Sequence, residues 1–427
     1  MVIITITGDQ HQNPRFGADV QEGYKQLRKK DSLNKADYLF ETILDIRPNY
    51  AFFIGDYYDS PRPPPLRISD RLMKNSVKLM KEKIKAFWLK GNHDQTGEEI
   101  NGYWSDEEKK GSEIDFLSPI NSLRVAGRIF HLFTSIPETI QLEDGITVTG
   151  VSFNKKLEGK NIDPLESFKD KLDREVNGKF NILITHYYIE GFLPKSKEME
   201  EPWIKRSSLD RFQLVLSGHI HSYKTSPGLK KIIGGNQFPI IIYPGSLYKQ
   251  SFNEENTTKG FVKIEIIDGK IKDLKLIEIP DRPFRTIEIN IPNGHEKPLE
   301  FIKNTIDEQL KVVDRQDLVK QILRLKLRGT VDYFRTPFTH DEIRKYCKDR
   351  TKFTKIEDSI SPEEPDIDRE REVQDVESTL HNRFEEQIDK QERPEDEEFW
   401  SRTAEYFFTH LEDMKLRRYE TRKERRK

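Results

Sequence analysis

The feature that most limits what this chain can fold into is a coincidence repeated along its first half. The short apolar runs Val2–Thr7, Tyr50–Ile54, Ile84–Leu89, Phe180–Thr185 and Phe212–Leu216 each stop at a cluster of Gly, Asp, Asn or His. Runs of this length, bounded by turn residues, read as strands. Between them, Leu33, Ala36, Leu39, Phe40, Ile43, Leu44 and Ile46 recur at helical spacing until Pro48 closes the segment. Leu72, Met73, Val77, Leu79 and Met80 form a second such stripe. The alternation predicts βαβ units and a sheet covered by helices. Residues 14–31 read as a polar extension ahead of the first helix. Ile129–Phe133, Ile146–Val151, Ile240–Tyr243 and Phe261–Ile267 predict a second sheet, with Asp268-Gly269 as the hairpin turn before Ile271–Ile279. A first domain is expected over residues 1–280.

The bounding clusters are Gly8-Asp9-Gln10-His11, Gly55-Asp56, Gly91-Asn92-His93-Asp94, Thr185-His186 and Gly218-His219-Ile220-His221. If their strands are neighbours in one sheet, the carboxyl ends converge on the edge where open α/β folds build their sites. One Gly-Asp is an ordinary turn, and one loop His is ordinarily solvated. The set is different, because a folded core has no reason to gather carboxylates, an amide and imidazoles without partners. Cys347 is the only cysteine, so an internal disulfide and a thiolate cage are both excluded and any metal must take oxygen and nitrogen ligands. The 72 Lys and Arg nearly cancel the 74 Asp and Glu, so nucleic-acid binding, if present, must come from local patches. No apolar run approaches the roughly 18 residues that span a bilayer.

After residue 280, Pro283–Ile291 alternates like a strand, Leu299–Val312 has helical period, and Ile322–Val331 reads as another strand. A small α+β module is expected over 281–350. Residues 351–396 are acidic and poor in apolar side chains, the composition of a solvated linker. In the final segment, 397–427, Phe399, Trp400, Thr403, Phe407, Phe408, Leu411 and Met414 follow helical spacing, and a basic tail closes the chain.

The ordered clusters Asp-x-His, Gly-Asp, Gly-Asn-His-Asp, His and Gly-His-x-His resemble those of the calcineurin-like metallophosphoesterase superfamily. That resemblance implies a two-sheet sandwich flanked by helices, with the α+β module as a capping domain and helices at the C-terminus. It also implies that Asp9, His11 and His221 take one metal, Asn92, His186 and His219 the other, and Asp56 both. His93 stays off the metals and orients or protonates the scissile phosphate or leaving oxygen. Imidazole, carboxylate and amide ligands suit Mn²⁺, Fe²⁺ or Zn²⁺ better than Ca²⁺ or Cu⁺, and the family favours two Mn²⁺. Tyr243–Phe252, Lys259–Glu265 and residues 283–347 further resemble SbcD/Mre-type DNA repair nucleases. This implies a DNA exo- and endonuclease acting in end processing and recombination, in the cytoplasm at the nucleoid. Its partners would be DNA and a coiled-coil ATPase of SbcC/Rad type gripped by the C-terminal helix, as a homodimer within a heterotetramer. The chain has no Gly-x-x-x-x-Gly-Lys-Ser/Thr loop, so ATP use would belong to that partner. A stand-alone metallophosphatase or nucleotide phosphodiesterase stays open as the alternative. The loop Gln12-Asn13-Pro14-Arg15-Phe16-Gly17 departs from the family pattern and leaves local substrate contacts open.

Overall fold

The computed structural model describes residues 1–18, 20–60, 66–94, 130–192, 200–226, 239–311, 320–331, 336–362, 380–385 and 399–404. Strand β1 (Val2–Thr7) leads to helix α1 (Glu22–Ile46), β2 (Tyr50–Ile54), α2 (Leu66–Lys81) and β3 (Lys85–Leu89). These three strands are parallel and in step, with Thr7 beside Phe53 and Ile54 beside Leu89. β4 (Phe130–Leu132) extends them on one side. Across the domain, β5 (Glu138–Gln141) and β6 (Ile146–Val151) precede helix α3 (Lys169–Glu175) and β7 (Phe180–Thr185). β8 (Tyr188–Ile189) and β9 (Trp203–Ile204) pair with each other. β10 (Leu214–Ser217), β11 (Lys224–Thr225) and β12 (Ile240–Tyr243) follow. Their sheet has the order β11-β12-β10-β7-β6-β5.

The ligand-bearing strands therefore do not share one sheet, which was the condition under which the sequence brought their ends together. β1, β2 and β3 lie in the first sheet, and β7 and β10 lie in the second. Of the four runs expected in a second sheet, Ile146–Val151 and Ile240–Tyr243 lie there and two move. The run around residue 130 and β13 (Gly260–Ile267) join the first sheet, β13 pairing antiparallel to β1 and, through the hairpin, to β14 (Lys270–Glu278). Asp268 and Gly269 both have positive φ, 50° and 68°, the conformation a two-residue type I′ turn requires.

The sandwich closes because both sheets bury an apolar face. Ile4, Ile6, Phe52, Ile54 and Leu89 meet Val148, Ile182, Ile184, Leu214 and Leu216 in one core. Each such side chain is worth roughly 1.5–3 kcal/mol when fully withdrawn from water. On the outer face of the first sheet, Leu39, Phe40, Ile43, Leu72 and Leu79 pack with Phe53 and Trp88.

Two further expectations change. The polar extension is helix from Glu22 onward, and its Arg28, Asp31 and Ser32 are buried. Arg28 pairs with Asp31 at 2.7 Å, donates to the Lys249 carbonyl, and lies over the Tyr248 and Phe284 rings. A polar helix is buried here by ion pairing rather than by an apolar stripe. The acidic segment opens with strand β17 (Phe353–Pro362), which lines up after β15 (Phe284–Ile291) and β16 (Ile322–Val331) in a three-stranded sheet.

By contacts the chain forms two units. One comprises Met1–Ile289, Lys303–Lys326 and Thr339–Glu357, and the other comprises Asn290–Ile302, Leu327–Phe338 and Asp358–Lys427. The C-terminal stripe is described only at its start, where residues 399–404 are helical and Phe399 is 62% exposed. Phe407, Phe408, Leu411, Met414 and the basic tail lie outside the described residues. Among the described residues, no helix is long and apolar enough to cross a membrane.

Candidate metal centre

The parallel register carries the strand ends to one place. Beyond β1 and β2 the two loops continue side by side, with Asp9 N donating to Gly55 O (3.1 Å), His11 N to Asp56 O (2.9 Å) and Gln12 N to Tyr57 O (2.8 Å). The second sheet reaches across to them. His186 Nδ1 donates to Ile54 O at 2.7 Å, and His219 N donates to Asp9 Oδ1 at 3.0 Å. The third loop is tied in by Asp94, fully buried, whose carboxylate accepts from Gly91 N, Tyr57 N and Tyr58 N at 3.0, 3.3 and 3.1 Å. Backbone strain gathers at the same place: Asp9, His11, Asp56 and His219 all have positive φ, between 42° and 80°. Such conformations cost on the order of 1–3 kcal/mol each and persist where surrounding structure over-determines them. Gly91 is needed for a different reason, since a Cβ there would collide with the Asp56 carboxylate.

These loops bring together Asp9, His11 and His221 as one group of donors and Asp56, His186 and His219 as another. Asn92 joins the second, its Oδ1 3.1 Å from His219 Nδ1. Asp56 Oδ2 lies 3.6 Å from His11 Nε2 and 3.2 Å from His186 Nε2, between the groups. His93 takes a separate position. Its N donates to Asp56 Oδ1 (2.9 Å) and its Nδ1 to the Asp59 carbonyl (3.1 Å), while its ring stands edge-on to His11 with centroids 4.8 Å apart. His11, Asp59 and His93 also form a third close group.

The outer nitrogen of each remaining imidazole faces an oxygen. His11 Nδ1 meets Asp59 Oδ1 at 3.1 Å, His221 Nδ1 meets Glu254 Oε1 at 3.2 Å, and His219 Nε2 meets Glu201 Oε2 at 2.5 Å. With His186 on Ile54 O, these contacts assign the ring protons to the outer nitrogens and leave lone pairs on the inner ones. Two facing lone pairs, His11 Nε2 and His221 Nε2 at 3.1 Å, repel unless a cation or proton lies between them. His186 Nε2 is buried and faces the Asp56 carboxylate, with Oδ2 3.2 Å away, so a cation or a proton must lie between lone pair and anion. The donor set therefore fits a pair of divalent cations.

The charges tell the same story. Burial acts to raise the Asp56 carboxyl, but when no cation is present a proton shared with His186 supplies the positive charge that overrides it and holds Asp56 well below the usual carboxylate range. Burial acts to lower His186, yet the Asp56 carboxylate lifts it to about 9. Burial, with the Asp56 charge, raises Asp94 to about 7. Asp56 is thus an anion held by whatever positive charge stands beside it.

Every residue expected at the site from the sequence is in this cluster. Asp59, Glu201 and Glu254, which contact the imidazoles from outside, and Lys259, which holds Glu254 and the His221 carbonyl, were not singled out as site residues. Only Glu254 and Lys259 carried a signal, because they fall in or beside the segments that follow Tyr243.

Residues 3–223 match the family described as Calcineurin-like phosphoesterase. The chain is similar to "DNA double-strand break repair protein Mre11" of Methanococcus maripaludis, 26% identical over 319 residues, covering 71% of this chain and 77% of that protein. The protein of the same description from Methanocaldococcus jannaschii is 27% identical over 287 residues, covering 64% and 68%. Among solved structures, a dimetal phosphatase from Danio rerio aligns over 62% of this chain and 92% of its own, with TM-score 0.36 and 11% identity. The calcineurin-like phosphoesterase YfkN from Bacillus subtilis aligns over 73% and 97%, with TM-score 0.32 and 15% identity. Likenesses at those scores carry no weight for function.

Proposed function

The chain belongs to the calcineurin-like phosphoesterase family, and from that premise we propose that it is a two-metal-dependent DNA nuclease hydrolysing phosphodiester bonds in DNA end processing and recombination. The observation that carries this reading is the pair of inward-facing donor groups with the Asp56 carboxylate between them. The DNA half is supported by the two archaeal relatives, both described as repairing double-strand breaks, and by the segments after Tyr243.

In this reading Asp9, His11 and His221 would hold one cation, Asn92, His186 and His219 would hold the second, and Asp56 would serve both. Two Mn²⁺ bound there would supply Lewis acidity to the phosphoryl oxygens and an acidified water at neutral pH. The chain's own groups set the geometry. The outer oxygens on the imidazoles lock tautomer and ring orientation, and the paired backbones of the Asp9 and Asp56 loops fix the spacing between donor groups. His93, tied through Nδ1 to the Asp59 carbonyl, keeps Nε2 for a proton exchanged with the phosphate or the leaving oxygen.

The domain division is proposed as nuclease domain 1–280, capping domain from 281 to the end of β17 at Pro362 rather than to 350, linker 363–396 and docking helix with basic tail 397–427. The partners are proposed as DNA and an SbcC/Rad-type ATPase, in a heterotetramer built on a homodimer of this chain, at the nucleoid in the cytoplasm. Purified protein incubated with linear duplex DNA and Mn²⁺ is expected to degrade it, and a chelator to stop the reaction. DNA left intact beside rapid hydrolysis of a chromogenic monoester would overturn the nuclease reading in favour of a phosphatase.

A further inference from the structure

The segments Tyr243–Phe252 and Lys259–Glu265 meet on one histidine. Lys259 Nζ is fully buried and spends its three protons on His221 O (2.8 Å), Ser246 Oγ (2.9 Å) and Glu254 Oε2 (2.8 Å). The other Glu254 oxygen meets His221 Nδ1 at 3.2 Å, and Gln250 N donates to Oε2 at 2.9 Å. Ser246 N donates to the same His221 carbonyl at 3.0 Å. His221 is thus gripped at its carbonyl and at its outer ring nitrogen by a single ion pair. A compact ammonium with three acceptors suits this slot better than a planar guanidinium.

A charged pair taken out of water is a poor way to gain stability, since desolvation offsets most of its attraction. Its placement instead fixes the direction of one ring. Resting on the two-metal reading above, we infer that the Glu254–Lys259 pair is a positioning device for His221, setting the affinity of the cation site formed by Asp9, His11 and His221 and leaving the Asn92, His186 and His219 site unaffected. Carboxylates behind a ligand histidine raise its basicity and hold its ring, and their loss typically costs about 10–100-fold in metal affinity.

The test is calorimetric titration of the metal-stripped full chain with MnCl₂. Wild type is expected to take up two ions. In Glu254→Gln, which keeps the shape, one ion is expected to bind about 10–100-fold more weakly with the other unchanged; thermal unfolding in chelator stays a single cooperative transition, at a lower midpoint because Lys259 loses its buried counter-charge. On linear DNA, kcat falls and KM is unchanged. Lys259→Arg should retain more of the affinity than Lys259→Met. If Lys259→Met does not fold, Glu254→Gln alone decides the question. Two unchanged affinities in Glu254→Gln, or both weakened together, overturn the positioning role while the two-metal reading stands. Fewer than two ions on wild type overturns both.

Discussion

Asp94 accepts three buried backbone hydrogen bonds, so its replacement has a cost that can be worked bond by bond. Oδ2 serves Gly91 N and Tyr57 N, and Oδ1 serves Tyr58 N. Asp94→Ala leaves all three donors without an acceptor in a site closed to water. At about 1–3 kcal/mol for each orphaned group, the loss is roughly 3–6 kcal/mol once partial relaxation is allowed. Asp94→Asn can place its one oxygen at the Oδ2 position, keep two bonds and lose one, for about 1–3 kcal/mol. Chemical unfolding in chelator, which removes any metal contribution, measures both variants. Asp94→Ala should cost roughly two to three times as much as Asp94→Asn. Losses below about 1 kcal/mol in both, or equal losses, would refute the claim that Asp94 staples the second and third loops together.

Other perturbations separate roles within the site. His93→Ala should retain both metals yet lose about 10²–10⁴-fold in turnover, whereas His219→Ala should lose metal; equal depletion by metal analysis would refute the assignment of His93. Arg28→Met should destabilise the chain by about 3 kcal/mol, the low end of the range for breaking a buried ion pair, because it takes the Arg28 donor from the Lys249 carbonyl and removes one of Asp31's two guanidinium partners, the bidentate Arg282 remaining; a loss under about 1 kcal/mol in urea unfolding would contradict it. A chain ended before Phe399 should fail to co-purify with an SbcC/Rad-type ATPase while keeping basal DNA cleavage, and unaltered co-purification would remove the docking role.

The ligand clusters were legible because two independent signals, strand period and metal-type residues, ended at the same positions. How the strands were shared between sheets was not. β3 and β7 are both short apolar runs, and nothing local distinguishes a neighbour within a sheet from a partner across the sandwich. The first half of α1 was hidden for a physical reason: Arg28 and Asp31 are buried by pairing with each other, and Asp31 also pairs with Arg282, 251 residues away. Charged residues without helical apolar spacing read as solvated. Strand β17 was masked likewise, its acids being balanced by partners such as Arg324, 3.8 Å from Glu357. The carboxylates behind the imidazoles sit at unrelated separations, 48 residues for Asp59 and His11 and 33 for Glu254 and His221. No spacing rule points to them.

Anomalous diffraction from crystals soaked in Mn²⁺ shows whether these loops hold two cations. Two peaks are expected roughly 3.5–4 Å apart, one among Asp9, His11 and His221 and one among Asn92, His186 and His219, with the Asp56 carboxylate touching both. A single peak, or peaks away from these donors in a protein that still cleaves DNA, would contradict the account.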